Sequence, residues 1–94
     1  NARYKGVLTM VDGDFSAAAG TWKDANGNTV TVSGNGQFTV QSADGKTANY
    51  SIASYSYTLD DGKYNAQLSG PGNANLQITI GADGSVTSVV VTQP

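Results

Sequence analysis

The sequence contains no cysteine, no histidine and no glutamate. Each absence removes a class of chemistry. Without cysteine there is no disulfide, no thiolate metal site and no thiol nucleophile, and redox chemistry leaves the cellular compartment open. Without histidine or glutamate the usual general acids and bases are missing, and aspartate supplies all seven negative charges. Those aspartates sit in turn contexts, with Asp12 and Asp14 flanking Gly13 and Asp60 and Asp61 preceding Gly62, where a short carboxylate bonds its own backbone. Serine is plentiful but has no histidine base, and no Gly-x-Ser-x-Gly elbow is present. The expectation is a protein that is not an enzyme, with no catalytic residue to assign.

Charge is equally sparse. Five basic residues against seven acidic ones give a net charge of -2. With no basic cluster there is little field for neutralising phosphates, so nucleic acid is not an expected partner. No apolar run is long enough for a membrane span. The stretch "DANGNTVTVSGN" from Asp24 places acids and amides at alternate positions like the start of a calcium loop. Its glycine, Gly27, comes too early, however, and Asn35 stands where a bidentate glutamate belongs. It reads as a hairpin, and no metal or cofactor is expected.

What is present is turn chemistry. At 94 residues the chain, 1–94, is expected to be one domain. "DGD", "ANGN", "GNG", "ADGK", "DDGK" and "GADGS" recur between short runs of alternating polar and apolar residues, the signature of consecutive β-hairpins. Loop length is testable, because a wrong length sets apolar residues opposite polar ones. Three-residue loops ending in Gly pair Trp22 with Val30, Val32 with Phe38, Val40 with Ala48, Phe38 with Tyr50 and Ile80 with Val86. A two-residue loop at Asp61-Gly62 pairs Leu59 with Tyr64, Tyr57 with Ala66 and Tyr55 with Leu68. Tyr50 and Ile52 are out of phase with Tyr55 and Tyr57, so one extra residue at Ala53-Ser54, a β-bulge, is needed to bring them to one face.

This reading gives eight strands, at about 4–11, 15–23, 28–33, 37–42, 46–59, 63–69, 75–80 and 85–92. The fold class is all-β, a small eight-stranded antiparallel up-and-down β-barrel, which removes exposed sheet edges; a meander β-sandwich is the alternative. Leu8, Met10, Trp22, Val86, Ser88 and Val90 are expected inside. Val7, Val11 and Phe15 fall outside or at a barrel end. Between residues 12 and 20 the alanines also allow a helical turn starting at Asp14.

The aromatic residues then have two readings. Trp22, Tyr50, Tyr55, Tyr57 and Tyr64 either fill the interior beside small neighbours or line an open mouth as a ligand site. The segment "GPGNAN", 70–75, is the longest irregular connection, and Gly70, Pro71, Gly72 and Asn73 within it are the expected loop contacts.

"GTWKDANGNTVTVSGNGQF", residues 20–38, resembles the Gly-x-Trp strand and following hairpin of lipocalin-like small β-barrel proteins, including bacterial lipoproteins. The resemblance implies a barrel that binds a small apolar ligand, or one whose loops bind a protein. About a third of the residues are Ser, Thr, Asn or Gln, a composition compatible with export. The expected function is a non-catalytic binding module, secreted, periplasmic or attached to the cell surface, its signal removed, and acting as a monomer or weak dimer on a protein or small apolar ligand. The alternative is a structural or adhesive domain of a larger cell-surface protein, suggested by the hydroxyl- and amide-rich outer face.

Overall fold

From Gly20 onward each run of alternating residues is a strand. The computed structural model describes residues 1–24 and 26–93, so the "ANG" loop is described only at Asn26 and Gly27, Ala25 lying outside the described residues. Among the described residues there are seven strands: β1 (Gly20–Lys23), β2 (Thr29–Val32), β3 (Gln37–Gln41), β4 (Thr47–Thr58), β5 (Lys63–Ser69), β6 (Asn73–Ile80) and β7 (Val86–Thr92). Each pairs antiparallel with the next in chain order, and β7 returns against β1 and β2 without a hydrogen-bonded ladder between them. The result is a nearly closed up-and-down barrel.

The register follows from the three-residue loops. Trp22 faces Val30, Val32 faces Phe38, Val40 faces Ala48 and Phe38 faces Tyr50, while Ile80 faces Val86. The β4–β5 ladder slips between Ile52 and Ser54, which is the bulge that the phase conflict requires. Inward side chains of the strands form a dry core in which Val30, Phe38, Val40 and Ile78 have no exposure.

Four expectations are corrected. The strand at 4–11 is a helix, α1 (Ala2–Val11), capped by the Asn1 side chain accepting from the Tyr4 N–H at 3.0 Å. In a helix Val7 and Met10 share the face that meets the core, and Leu8 turns outward at 41% exposure. A run as short and apolar as "VLTMV" satisfies either period, so alternation alone misassigned it. The proposed strand at 15–23 shrinks to Gly20–Lys23, preceded by a 3₁₀ turn over Ser16–Ala18, with Asp14 Oδ1 accepting from the Ser16 N–H at 3.0 Å. A helical turn is therefore the correct alternative, though it begins at Ser16 and not at Asp14, and Phe15 is buried at 2% exposure.

The third correction concerns the tip between β4 and β5. Tyr57 faces Tyr64 and Tyr55 faces Ala66, so the loop is the four residues Leu59–Gly62. The shift from the expected register is two residues, which leaves every side chain on its expected face. Gly62 closes the loop at φ +66°, and its carbonyl accepts from the Ile80 N–H at 2.7 Å. A Cβ there would collide with the Ile80 carbonyl, so the tip is clamped onto β6.

The fourth lies in β7, where Val86 faces Ile80 but Ser88 faces Thr79, leaving Thr87 as a second bulge. Phase reverses after it. Val89 and Val91 are buried at 3% and 2%, while Val90 is 38% exposed. Valines at both parities made the two phases indistinguishable in the sequence.

Helix α1 lies against β5 and β6 at the end of the barrel carrying the β4–β5 and β6–β7 turns. Gly6 permits this approach: a Cβ there would lie 2.9 Å from Ile80 Cγ2 and 3.0 Å from the Gly84 carbonyl. The Arg3 guanidinium donates to the Asp60 carbonyl at 3.1 Å, and the Tyr4 hydroxyl donates to Asp60 Oδ1, fastening the helix to the tip.

Candidate functional site

Strand β4 has twelve residues and β3 has five, and this mismatch creates the site. The β3–β4 ladder ends at Gln37 opposite Ser51, whereas β5 follows β4 to Thr58. Past the bulge, β4 therefore runs on with a partner on one side only. Residues 53–58 are all exposed.

Tyr55 and Tyr57 keep the inward-facing phase, but among the described residues no strand roofs them, and they stand 49% and 44% exposed. The Tyr55 ring stacks on that of Tyr64, with centroids 5.7 Å apart and planes at 12°. Tyr64 in turn meets Phe15 edge-on at 5.5 Å and 80°, and Phe15 meets Phe38 edge-on at 5.9 Å. An aromatic chain thus runs from solvent to the centre of the core. Burial pushes the Tyr64 hydroxyl up to about 12, with a smaller contribution from Tyr55.

Beside Tyr55 opens a groove of about 290 Å³, lined by Met10, Val11, Phe15, Gly36, Ile52 and Tyr64. Sequence reasoning missed Met10, Val11 and Phe15 as groove lining because it read 4–11 and 15–23 as strands. The available signal was the spacing of Tyr4, Val7 and Val11, which is helical.

The five aromatic residues expected at one site are not together. Tyr50 is buried, its hydroxyl accepting from Gln93 Nε2 at 3.0 Å, and it lies five residues before Tyr55, roughly 16 Å along an extended strand. Trp22 is half-buried and donates from Nε1 to the Ala18 carbonyl at 2.7 Å, tying the 3₁₀ turn to β1. Tyr64 belongs to the core, which leaves Tyr55 and Tyr57 at the surface. Gly70, Pro71, Gly72 and Asn73 are exposed at the barrel end opposite α1, where Gly70 backs against Tyr50, so they share no site with Tyr55.

The aspartates serve the turns. Asp14 and Asp83 accept from the Ser16 and Ser85 N–H groups, and hydrogen bonds from those serines hold both carboxyls below the usual range. Burial acts to raise Asp24, but hydrogen bonds from Asn28 and Asn26 outweigh it and hold its carboxyl low. No group of three metal-ligating side chains occurs among the described residues.

On the outer face of the same strands, Ser54, Ser56, Asn65, Gln67 and Asn75 line a shallow polar depression of about 370 Å³. Neighbouring amides are linked there, with Gln77 Nε2 donating to Asn65 Oδ1 at 3.2 Å.

Residues 7–92 match a family model described as a domain of unknown function, DUF6287. No curated protein and no solved structure matches the chain.

Proposed function

The chain belongs to the DUF6287 family, and for this member of it we propose a non-catalytic exported binding module whose contact surface is the Tyr55–Tyr57 face and the groove beside it. The observation that carries this reading is the exposure of two inward-phased tyrosines, at 49% and 44%, where β4 outruns β3. Half-exposed aromatics on a rigid strand, next to a concave apolar wall, have the composition of a protein contact site. The barrel centre is filled by side chains, so a ligand would enter the side groove and not an axial lumen.

Magnitudes favour a protein over a small molecule. Covering both rings removes roughly 200 Å² of mostly apolar surface, about 5 kcal/mol at ~25 cal/mol per Å². Association costs about 4–15 kcal/mol, so the rings alone leave little surplus. A partner must also engage the groove or the backbone. In the same proposal the module is periplasmic or lipoprotein-derived, in keeping with its lipocalin-like hairpin and its composition.

The test is native mass spectrometry of the protein taken from its source cells, alongside a Tyr55→Ser/Tyr57→Ser variant. A stoichiometric protein retained only by the wild type is expected. Equal retention by the variant moves the site elsewhere, and the absence of any adduct at high concentration removes the binding reading.

The outer depression lined by Ser54, Ser56, Asn65, Gln67 and Asn75 favours a second reading, an adhesive domain that contacts polar surfaces such as glycans. Glycan-array binding abolished by Asn65→Leu/Gln67→Leu but unaffected by Tyr55→Ser would select it.

A further inference from the structure

We propose that residues 54–58 of β4 accept an extended peptide of a partner protein as an added strand, in the place where β3 stops. The inference rests on the reading that the Tyr55 face is the contact surface, and it names how that surface is used. Three observations converge on it.

The first is the backbone. The β3–β4 ladder ends at Ser51 and the β4–β5 ladder continues to Thr58. Along 54–58, alternate residues therefore direct their N–H and C=O groups away from β5, and no described backbone group pairs with them. Folded proteins commonly blunt such an edge with lysine, proline or a covering loop. Here the run is Ser-Tyr-Ser-Tyr-Thr, free of charge and of proline and high in β-propensity.

The second is the side-chain pattern. A strand laid along this edge alternates its side chains between two environments. One set would meet Tyr55, Tyr57 and the groove walled by Phe15 and Ile52; the other would meet Ser54, Ser56 and Thr58. The matching segment alternates apolar and hydroxyl side chains.

The third is charge. Asp60 and Asp61 stand at the end of the run, and Asp12 lies beside Gly13 at the groove wall, where the carboxyl end of α1 adds its negative dipole. Arg3 donates to the Asp60 carbonyl and Lys63 to Thr79 Oγ1 at 3.1 Å; both acceptors are neutral, so these two cations keep their charge and offset two of the three carboxylates, leaving the edge weakly acidic. The occupant is therefore neutral or basic, with lysine or arginine at its ends.

A slender segment fits better than a second copy of the chain. If two β4 edges met antiparallel about Ser56, Asp61 of one copy would reach the level of Ser51 of the other, where Gln37 is already paired. A peptide of five or six residues carries no hairpin tip and meets no such obstacle.

The experiment uses a blocked peptide of alternating valine and threonine with lysine at each end. Two analogues carry backbone N-methyl groups on one or the other alternate set of residues. Binding is read by amide NMR and hydrogen exchange of the intact protein. The expected result is slowed exchange within 54–58, cross-strand contacts between peptide and β4, and at least a tenfold affinity loss for one methylated analogue only. Replacing the terminal lysines by glutamate should weaken binding further.

Binding that tolerates both methylated analogues but is lost in Tyr55→Ser overturns strand addition and leaves the tyrosine surface standing. Binding indifferent to Tyr55→Ser overturns both. No binding at millimolar peptide overturns strand addition, as does protection of 54–58 that appears without peptide and tracks dimer formation in sedimentation.

Discussion

Tyr55 and Tyr64 lie ring on ring, 5.7 Å between centroids, yet one is half in solvent and the other is 2% exposed. The pair is the junction between the core and the proposed contact surface, and its two members respond differently to perturbation.

Tyr64 makes stability fall in strong alkali. An unfolded tyrosine titrates near 10, and burial pushes folded Tyr64 up to about 12. The fold therefore favours the neutral ring. This contribution is whole below pH 10 and is lost as pH rises from there through about 12. Urea denaturation across this window should show the decline, phenolate absorbance should show a late step, and Tyr64→Phe should reduce both, the remainder belonging to Tyr4, whose hydroxyl is also held above the usual range by its hydrogen bond to Asp60.

Phe15 and Tyr57 should separate stability from binding. Phe15→Ala empties a buried position between Tyr64 and Phe38 and should cost about 3–5 kcal/mol in chemical denaturation. Tyr57→Ser changes an exposed ring and should stay within about 0.5 kcal/mol of wild type. If the Tyr57 change is as destabilising as the Phe15 change, the surface role is wrong.

Gly6→Ala should destabilise although alanine favours helix by about 1 kcal/mol. The new methyl meets Ile80 Cγ2 at 2.9 Å and the Gly84 carbonyl at 3.0 Å, and neither is the loose end of a flexible side chain. Overpacking of this kind costs about 1–3 kcal/mol, so a net loss of about 1 kcal/mol is expected in thermal or urea unfolding. A stabilised variant would show that α1 does not press on β6 as described.

Deleting Ala53 should be tolerated, and deleting Ser51 should not. Ala53 is the extra residue of the bulge, so its removal leaves Ile52 opposite Leu68 and Tyr55 opposite Ala66. Removing Ser51 inverts one side of β4 and sends Tyr50 or Ile52 into water. A cost of about 1 kcal/mol against several is expected, measured by urea titration.

The registers of the first three hairpins, from Trp22 to Tyr50, were legible because three-residue loops ending in Gly constrain pairing locally, whereas the four-residue tip Leu59–Gly62 was read two residues too short. The bulge at Ala53 was legible for a similar reason: Tyr50 and Tyr55 cannot share a face without it. Helix α1 was not, since Val7, Leu8, Met10 and Val11 satisfy both periods, so the helical spacing of Tyr4, Val7 and Val11 did not stand out against alternation, while the tertiary structure seats Gly6 against Ile80 and Gly84. The β7 phase was hidden in the same way by valines at both parities.

By itself the sequence determined which side of each central strand is apolar, because side-chain direction alternates with every residue and the glycine turns hold the count. Only the tertiary structure decided which inward-facing groups are dry. Burial requires a neighbour on every side, and Tyr55 and Tyr57 lose theirs because β3 ends seven residues short of Thr58 along the ladder. The expected bounds 37–42 and 46–59 already held that inequality, but only the assembled sheet shows that nothing else among the described residues covers the overhang, and the candidate site is the result.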